Sequence, residues 1–304
     1  RDYDQEVFEP KLKANKMRYK FYDTRLDEDD VVLAKGFDAV CVFVNDVVNK
    51  TVIDQLAEFG IKIIALRCAG FNNVNYKYAE QKGITVVRVP AYSPYAVAEH
   101  AMALLMTSTR KIHKSYIRTR DFNFSLQGLT GFDLYGKTVG VIGTGKIGRV
   151  FIDICKGFGM KVIAYDKYPS DIPGVEYKPL DTVYKEADII SFHCPLTDDT
   201  QHMFNFGTLG KIKPGVVIII TSRGALIDAE ALLEGIKTKK IGAACLDVYE
   251  EESGYFYEDL SGSIIYDDTL SRLISMPNVI VTSHQAFLTR EALENIATTT
   301  VDNI

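Results

Sequence analysis

The sequence predicts an α/β fold with two separate parallel sheets, each doubly wound, and three observations carry that prediction. Short β-branched runs alternate with polar, helix-compatible stretches along most of the chain, the order expected of βαβ units. A stretch from 96 to about 118 holds neither glycine nor proline and parts this series into a short first half and a longer second half. The length of 304 residues, at roughly 150 residues per domain, gives two domains.

The first series has strands at Ala39–Val44, Ile61–Leu66 and Thr85–Val89, with helices at Thr51–Phe59 and Tyr76–Lys82 between them. After Ser93-Pro94 one long helix is expected from Ala96 to about Arg118, because Val97, Ala101, Leu104, Leu105 and Ile112 recur on one face. It is long enough to bridge two domains, and its apolar face equally suits a dimer interface. Beyond the loop Gly128–Gly136 come six strands: Thr138–Ile142, Lys161–Tyr165, Ile189–His193, Val216–Thr221, Ala243–Asp247 and Val279–Thr282. Each is a continuous apolar run, as in strands covered by helices on both faces. Six is the strand count of a full doubly wound dinucleotide fold. The domains are set at 1–96 plus 289–304 and at 97–288, with hinges at Ser93–Ala96 and Phe287–Arg290. The acidic segment Glu250–Asp268 carries Tyr255, Phe256, Tyr257 and Tyr266. It reads as a folded insertion, since linkers rarely hold so many aromatics.

Composition removes several function classes. A net charge of −5 with no basic patch argues against a nucleic-acid partner. Apolar runs such as Val216–Ile220 fall far short of the roughly 18 residues that span a bilayer, so no membrane partner is expected. No charged and apolar leader opens the chain, and five Cys form no C-x-x-C pair, so reduced thiols and a cytoplasmic location are expected. No His, Cys or Asp cluster has metal-ligand spacing, so no metal is expected. The chain opens at Arg1 without Met and stops at Ile304, as a trimmed piece would.

Gly143-Thr144-Gly145-Lys146-Ile147-Gly148 is a G-x-G-x-x-G between a strand and a helix whose apolar positions are Ile147, Val150, Phe151, Ile154 and Phe158. Gly143 makes the turn, Gly145 lets the backbone approach a pyrophosphate, and Gly148 allows close helix packing. The helix N-terminus offers unpaired N–H groups to the anion. The next strand ends in Asp166, whose carboxylate suits the adenosine ribose hydroxyls and repels a 2′-phosphate. NAD is therefore the expected cofactor, in a six-stranded Rossmann domain. Lys167 beside Asp166 is the one feature that suits NADP.

Three further stretches end strands: Thr221-Ser222-Arg223-Gly224, Leu246 to Glu252, and Ser283-His284-Gln285-Ala286-Phe287. Together with A-Y-S-P-Y-A-V-A-E-H (91–100), L-T-G-F-D-L-Y-G-K-T-V-G-V-I-G-T-G-K-I-G (129–148) and H-C-P-L-T (193–197), they make the chain resemble the D-isomer-specific 2-hydroxyacid dehydrogenases, most closely the D-lactate dehydrogenase branch. The motifs occur in the family's order and cover most of the chain.

The resemblance implies a smaller, flavodoxin-like substrate domain and reversible reduction of pyruvate to D-lactate by NADH. It makes Arg223 the anchor of the substrate carboxylate, a task suited to a permanently charged bidentate fork. It makes His284 the proton donor and Glu252 its partner, fixing the tautomer and favouring the charged imidazole. Glu250 and Glu251 are adjacent, and the family spacing of five residues from Asp247 selects Glu252. Asp247 is implied to hold the nicotinamide carboxamide, with Lys146, Ile147, Cys194, Pro195, Thr221 and Ser222 along the coenzyme. Ala69 and Gly70 in L-R-C-A-G (66–70) would offer N–H groups to the carboxylate opposite Arg223, while Tyr92 and Phe287 would wall the C3 methyl. His100, His113, His193 and His202 are given no chemistry. Alternatives are a D-2-hydroxyisocaproate or broader 2-hydroxyacid dehydrogenase and, in another class, an NAD-sensing corepressor. A homodimer or homotetramer is expected. Family members begin with a further strand and end with a longer tail, so a trimmed chain would have a weakened substrate domain.

Overall fold

Valine and isoleucine crowd the strand positions because a branched Cβ packs well on a pleated surface. The computed structural model describes residues 2–304, Ser253 by its backbone alone. Arg1, at which the trimmed-end expectation starts, lies outside the described residues. The chain divides into two units, Arg1–Ser93 with Phe287–Ile304, and Pro94–Ala286.

The first unit holds α1 (Asp2–Ala14), β1 (Ala39–Val42), α2 (Lys50–Glu58), β2 (Ile63–Leu66), α3 (Tyr76–Gln81) and β3 (Thr85–Arg88). Its three strands are parallel and lie in chain order, with Val40, Ile64 and Val86 in register. Asn49 and Asn75 start α2 and α3 by accepting the N–H groups of Val52 and Tyr78, the usual way an Asn side chain satisfies an orphan donor. The second unit opens with α4 (Pro94–Arg110), α5 (Ile112–Arg120), β4 (Thr138–Ile142), α6 (Lys146–Gly157), β5 (Lys161–Tyr165) and β6 (Glu176–Tyr177). It continues with α7 (Leu180–Glu186), β7 (Ile189–Phe192), α8 (Phe206–Leu209), β8 (Val216–Ile220), α9 (Ala229–Lys237), β9 (Ile241–Leu246), α10 (Asp268–Ser275) and β10 (Val279–Val281). The chain then returns to the first unit as α11 (Arg290–Asn303), which packs on α1.

The second unit's sheet is parallel, in the order β10-β9-β8-β7-β4-β5-β6. Side chains alternate along each strand, so Val139, Val141, Val217 and Ile219 face α4 and α6. Ile142, Ile190, Ile218 and Ile220 face α7, α9 and α10. The winding reverses between β4 and β7, and in open α/β sheets ligands bind outside the strand ends at such a switch.

Two features differ from expectation. A seventh strand, β6, extends the expected six; it has two residues and no apolar run, and only backbone pairing to β5 defines it. The helix expected over 96–118 is two helices, broken at Lys111 in the left-handed conformation (φ 52°, ψ 37°). The cause is a crossing from further along the chain, which passes the end of α4 at Gly131, where a Cβ would come within 2.1 Å of the Thr109 carbonyl oxygen. Beyond that crossing α5 buries no residue, so no core contact holds it in line. The segment 250–268 is folded onto the core as expected, through one short 3-10 turn at Glu252–Gly254 and the buried Phe256, while Tyr266 stays 83% exposed.

In the first unit Asp4 and Arg67 form a nearly buried ion pair, Oδ1 to Nη1 2.8 Å, with the guanidinium 4.0 Å above the Phe43 ring. We predict that Asp4→Ala, which leaves a buried cation without its partner, costs about 3–5 kcal/mol. Calorimetry should show the smaller unit melting earlier and the larger unit unmoved. Asp4→Ala combined with Arg67→Met should recover most of the loss. An unchanged trace for the single variant refutes this account.

Candidate active site

The three glycines of the β4–α6 turn are each required for a different reason. Gly143 sits at φ +94°, and a Cβ there would lie 2.5 Å from the Cys194 amide nitrogen. A Cβ at Gly148 would lie 2.0 Å from the Gly143 carbonyl oxygen, so α6 starts pressed against the turn. Gly145, the N-cap of α6, is exposed with nothing within 4 Å of a built Cβ. Lys146 and Ile147 form the first helical turn behind it.

At the end of β5, Asp166 Oδ2 accepts the Thr144 N–H at 2.6 Å and the Thr144 hydroxyl at 3.0 Å. Its Oδ1 accepts the Tyr168 N–H at 2.8 Å. Burial pushes this carboxyl up, but those hydrogen bonds and the nearby Arg149 together hold it below the ordinary value. Its charge is therefore kept as pH falls until the lowered value is reached. The Tyr177 hydroxyl donates to Thr144 Oγ1 at 2.9 Å, and Arg149 Nε donates to the Thr144 carbonyl at 3.2 Å. Thr144, Arg149 and Tyr177 were not among the expected site residues. Thr144 was within reach as a variable position of the glycine motif, whereas Tyr177 lies on the strand that no sequence pattern marked. Lys167, the feature that suited NADP, pairs with Asp199 at 2.7 Å on the surface.

Across the switch, burial pushes the His193 imidazole down to about 4 and the Cys194 thiol up to about 11. A neutral ring and a protonated thiol thus back the glycine turn, with His193 against Phe151 at 4.9 Å. Pro195 is exposed, and the Ser222 hydroxyl donates to the Phe192 carbonyl at 3.1 Å. The buried Thr221 hydroxyl has no hydrogen-bond partner among the described residues. An open helix N-terminus, an oriented carboxylate and an orphaned buried hydroxyl together fit a dinucleotide.

Arg223, Glu252 and His284 follow β8, β9 and β10, three neighbours in the sheet. Glu252 Oε1 lies 2.6 Å from His284 Nδ1, and Glu252 Oε2 accepts the Tyr249 N–H at 3.0 Å. Glu250 instead pairs with His202, and Glu251 is exposed, so the three adjacent glutamates point to different surroundings. Arg223 donates from Nη1 to the Ser222 carbonyl at 2.6 Å. The turn after it is fixed by Gly224, where a Cβ would lie 2.0 Å from the Tyr249 carbonyl carbon, so the Arg223 and Glu252 loops touch backbone to backbone.

Asp247 is fully buried. Its Oδ1 accepts the Thr282 hydroxyl at 2.5 Å and the Gln285 N–H at 2.9 Å, and its Oδ2 accepts the Ala286 N–H at 2.8 Å. The Asp247 carbonyl takes the His284 N–H at 2.7 Å. His100 Nε2 stands 3.1 Å from Thr282 Oγ1. The carboxylate implied for a carboxamide thus also holds the His284 loop.

In the first unit, Ala69 and Gly70 lie in the turn beyond the β2 ladder, with the Ala69 carbonyl held by Arg88 at 2.7 Å. Phe287 is buried and meets Phe43 at 5.7 Å and Tyr92 at 6.3 Å. The Tyr92 carbonyl accepts from Asn295 at 2.7 Å. The two expected wall residues therefore belong to one aromatic cluster.

A family model for the NAD binding domain of D-isomer specific 2-hydroxyacid dehydrogenases matches residues 102–286. The D-lactate dehydrogenase of Escherichia coli (strain K12) is 50% identical over 307 residues, covering 100% of this chain and 93% of its own length. Among solved structures, the pyruvate reductase of Chlamydomonas reinhardtii has a TM-score of 0.95 at 43% identity, covering 100% of this chain and 92% of that one. The apo-structure of D-lactate dehydrogenase from Escherichia coli has a TM-score of 0.91 at 48% identity, covering 100% and 93%.

The glycine geometry gives a direct test. Gly148→Ala forces a methyl into the Gly143 carbonyl, and overpacking of this kind costs about 1–3 kcal/mol. NADH affinity, read by fluorescence titration, is expected to fall about 10- to 100-fold. Wild-type affinity in this variant would count against the site.

Proposed function

The chain belongs to the D-isomer-specific 2-hydroxyacid dehydrogenases, and from that premise we propose that it reduces pyruvate to D-lactate with NADH, reversibly. It is an NAD-dependent oxidoreductase. The observation that carries the reading is the 2.6 Å contact of Glu252 Oε1 with His284 Nδ1, between the loops that follow the neighbouring strands β9 and β10.

The nicotinamide ring, when bound, donates hydride in reduction and takes it back in oxidation. Arg223 anchors the substrate carboxylate. One of its five N–H groups is engaged at Ser222, which leaves the Nε–Nη2 edge for a bidentate pair. His284 has Nδ1 turned to Glu252, so Nε2 is the nitrogen that hands a proton to the carbonyl oxygen. Glu252 balances the imidazolium before that transfer and fixes the tautomer after it. In the reverse direction neutral Nε2 takes the hydroxyl proton, so oxidation gains as pH rises. Gly143, Gly145, Lys146, Ile147 and Gly148 hold the pyrophosphate and Asp166 the adenosine ribose. Cys194, Pro195, Thr221 and Ser222 flank the coenzyme. Asp247 holds the His284 loop and keeps acceptor capacity on Oδ2, which takes a single N–H, for the nicotinamide carboxamide.

The unit Arg1–Ser93 with Phe287–Ile304 is the substrate domain in this reading. Ala69 and Gly70 supply N–H groups, while Tyr92 and Phe287 supply the wall that favours a methyl at C3. A methylene is worth only about 1–3 kcal/mol in such a pocket, so 2-oxoisocaproate is a slower substrate rather than an excluded one. A cytoplasmic homodimer or homotetramer completes the reading. Tyr116, Ile117, Phe122, Phe124 and Leu126 are each more than half exposed along one stretch of the second unit, and exposed apolar side chains in one run suit burial against another copy. Light scattering should give two or four times the 34.0 kDa chain mass, and a monomer would remove this part.

Loss of NADH absorbance with pyruvate, 2-oxoisocaproate and an NADPH control tests the reaction itself. Arg223→Ala is expected to lower kcat/KM for pyruvate about 100-fold or more with NADH affinity kept, the loss typical of an unpaired buried charge. His284→Ala should lower kcat about 100- to 10,000-fold, the range of general acid–base catalysis. Near-normal turnover in either variant refutes its role.

A further inference from the structure

The acidic aromatic segment after β9 packs beside the imidazole of His284. Tyr257 reaches from it to the proposed proton donor. Its hydroxyl donates to the His284 carbonyl at 3.2 Å, and its ring lies 5.9 Å from the imidazole at an interplanar angle of 34°. Both residues sit in the left-handed region, Tyr257 at φ +72° and His284 at φ +52°. Bulky side chains rarely adopt that conformation, and it persists where the surroundings over-determine it.

The surroundings here do so from several sides. The His284 N–H is taken by the carbonyls of Asp247 and Thr282, its carbonyl by Tyr257 and its Nδ1 by Glu252. The segment itself is tied down at its start, where the Tyr255 and Phe256 N–H groups donate to the Glu252 carbonyl at 3.0 and 2.9 Å. Phe256 is buried in the core beside them. One short stretch of chain thus delivers a carboxylate to the edge of the imidazole and, five residues later, a phenol ring beside it.

We propose that Tyr257 is a positioning residue for His284: it fixes the rotation of the imidazole, keeping Nδ1 on Glu252 and Nε2 free for the substrate oxygen. This rests on the reading of His284 as the proton donor. Removing the ring frees the imidazole to turn, so the Nδ1 proton exchanges with water and fewer encounters find Nε2 aimed. Substrate and coenzyme affinity do not depend on that rotation.

The test compares wild type, Tyr257→Phe, Tyr257→Ala and His284→Ala. Tyr257→Ala is expected to lower kcat for pyruvate about 10-fold, a fraction of what a general acid contributes, with KM for pyruvate and NADH affinity held. Tyr257→Phe, which keeps the ring, should restore most of kcat. In the protein without coenzyme, the downfield proton resonance shared by His284 and Glu252, assigned by its loss in His284→Ala, should broaden in Tyr257→Ala and persist in Tyr257→Phe. An unchanged kcat and a sharp resonance in Tyr257→Ala overturn the proposal. So does a loss of kcat matched by equal losses of NADH affinity and melting temperature, which marks a merely structural role. If wild type turns over no 2-oxo acid, the proposed function fails, and the resonance alone decides whether Tyr257 holds the imidazole.

Discussion

A single buried carboxylate organises the chemical end of the larger sheet. Asp247 is fully buried at the end of β9, and the hydroxyl of Thr282 with the amides of Gln285 and Ala286 converge on its two oxygens. An interior anion is tolerable only when its lone pairs are satisfied, so the loop after β10 must take the one path that brings those donors inward. That path puts His284 into a left-handed conformation with its N–H on the Asp247 carbonyl. The imidazole then meets Glu252, which the same strand supplies five residues further on. The charge that holds the loop after β10 and the charge that meets the ring are separate groups.

The opposite side of the strand-order switch relies on contact rather than charge. Gly143 and Gly148 let the turn, the start of α6 and the His193-Cys194 backbone approach more closely than any side chain permits. Burial keeps the His193 imidazole neutral and the Cys194 thiol protonated, so no charge of theirs competes with an anion at the helix N-terminus. Asp166, held below its ordinary value by donated hydrogen bonds, is the charged group beside that turn. In the proposed reading, the two halves of the sheet separate binding of the dinucleotide from movement of the proton.

Much of this was legible in the chain. The strands appear as unbroken runs of Val and Ile because parallel strands are covered on both faces, and β4 and β5 match their expected bounds. The glycine motif was legible because each glycine answers a steric demand that no other residue meets. Arg223, Glu252 and His284 stood out only as members of ordered motifs, since any one of them alone reads as an ordinary surface or packing residue. What the sequence concealed has physical reasons too. β6 exists through backbone pairing alone, and the break at Lys111 follows from a crossing by residue 131, twenty positions away. Thr144 and Tyr177 join Asp166 only once three strands lie side by side.

By itself the sequence determined the fold class, the two parallel sheets, the dinucleotide turn and the set of side chains available for chemistry. These follow from periodicity, glycine sterics and residue type, which are local properties. Only the tertiary structure decided that Asp247 anchors the loop after β10, that Glu250 turns away to His202, and that Tyr257 lies beside His284. Those outcomes depend on backbone direction at turns after different strands. A turn's direction is fixed by the donors and acceptors it must satisfy across the sheet, and no local pattern in the chain records them.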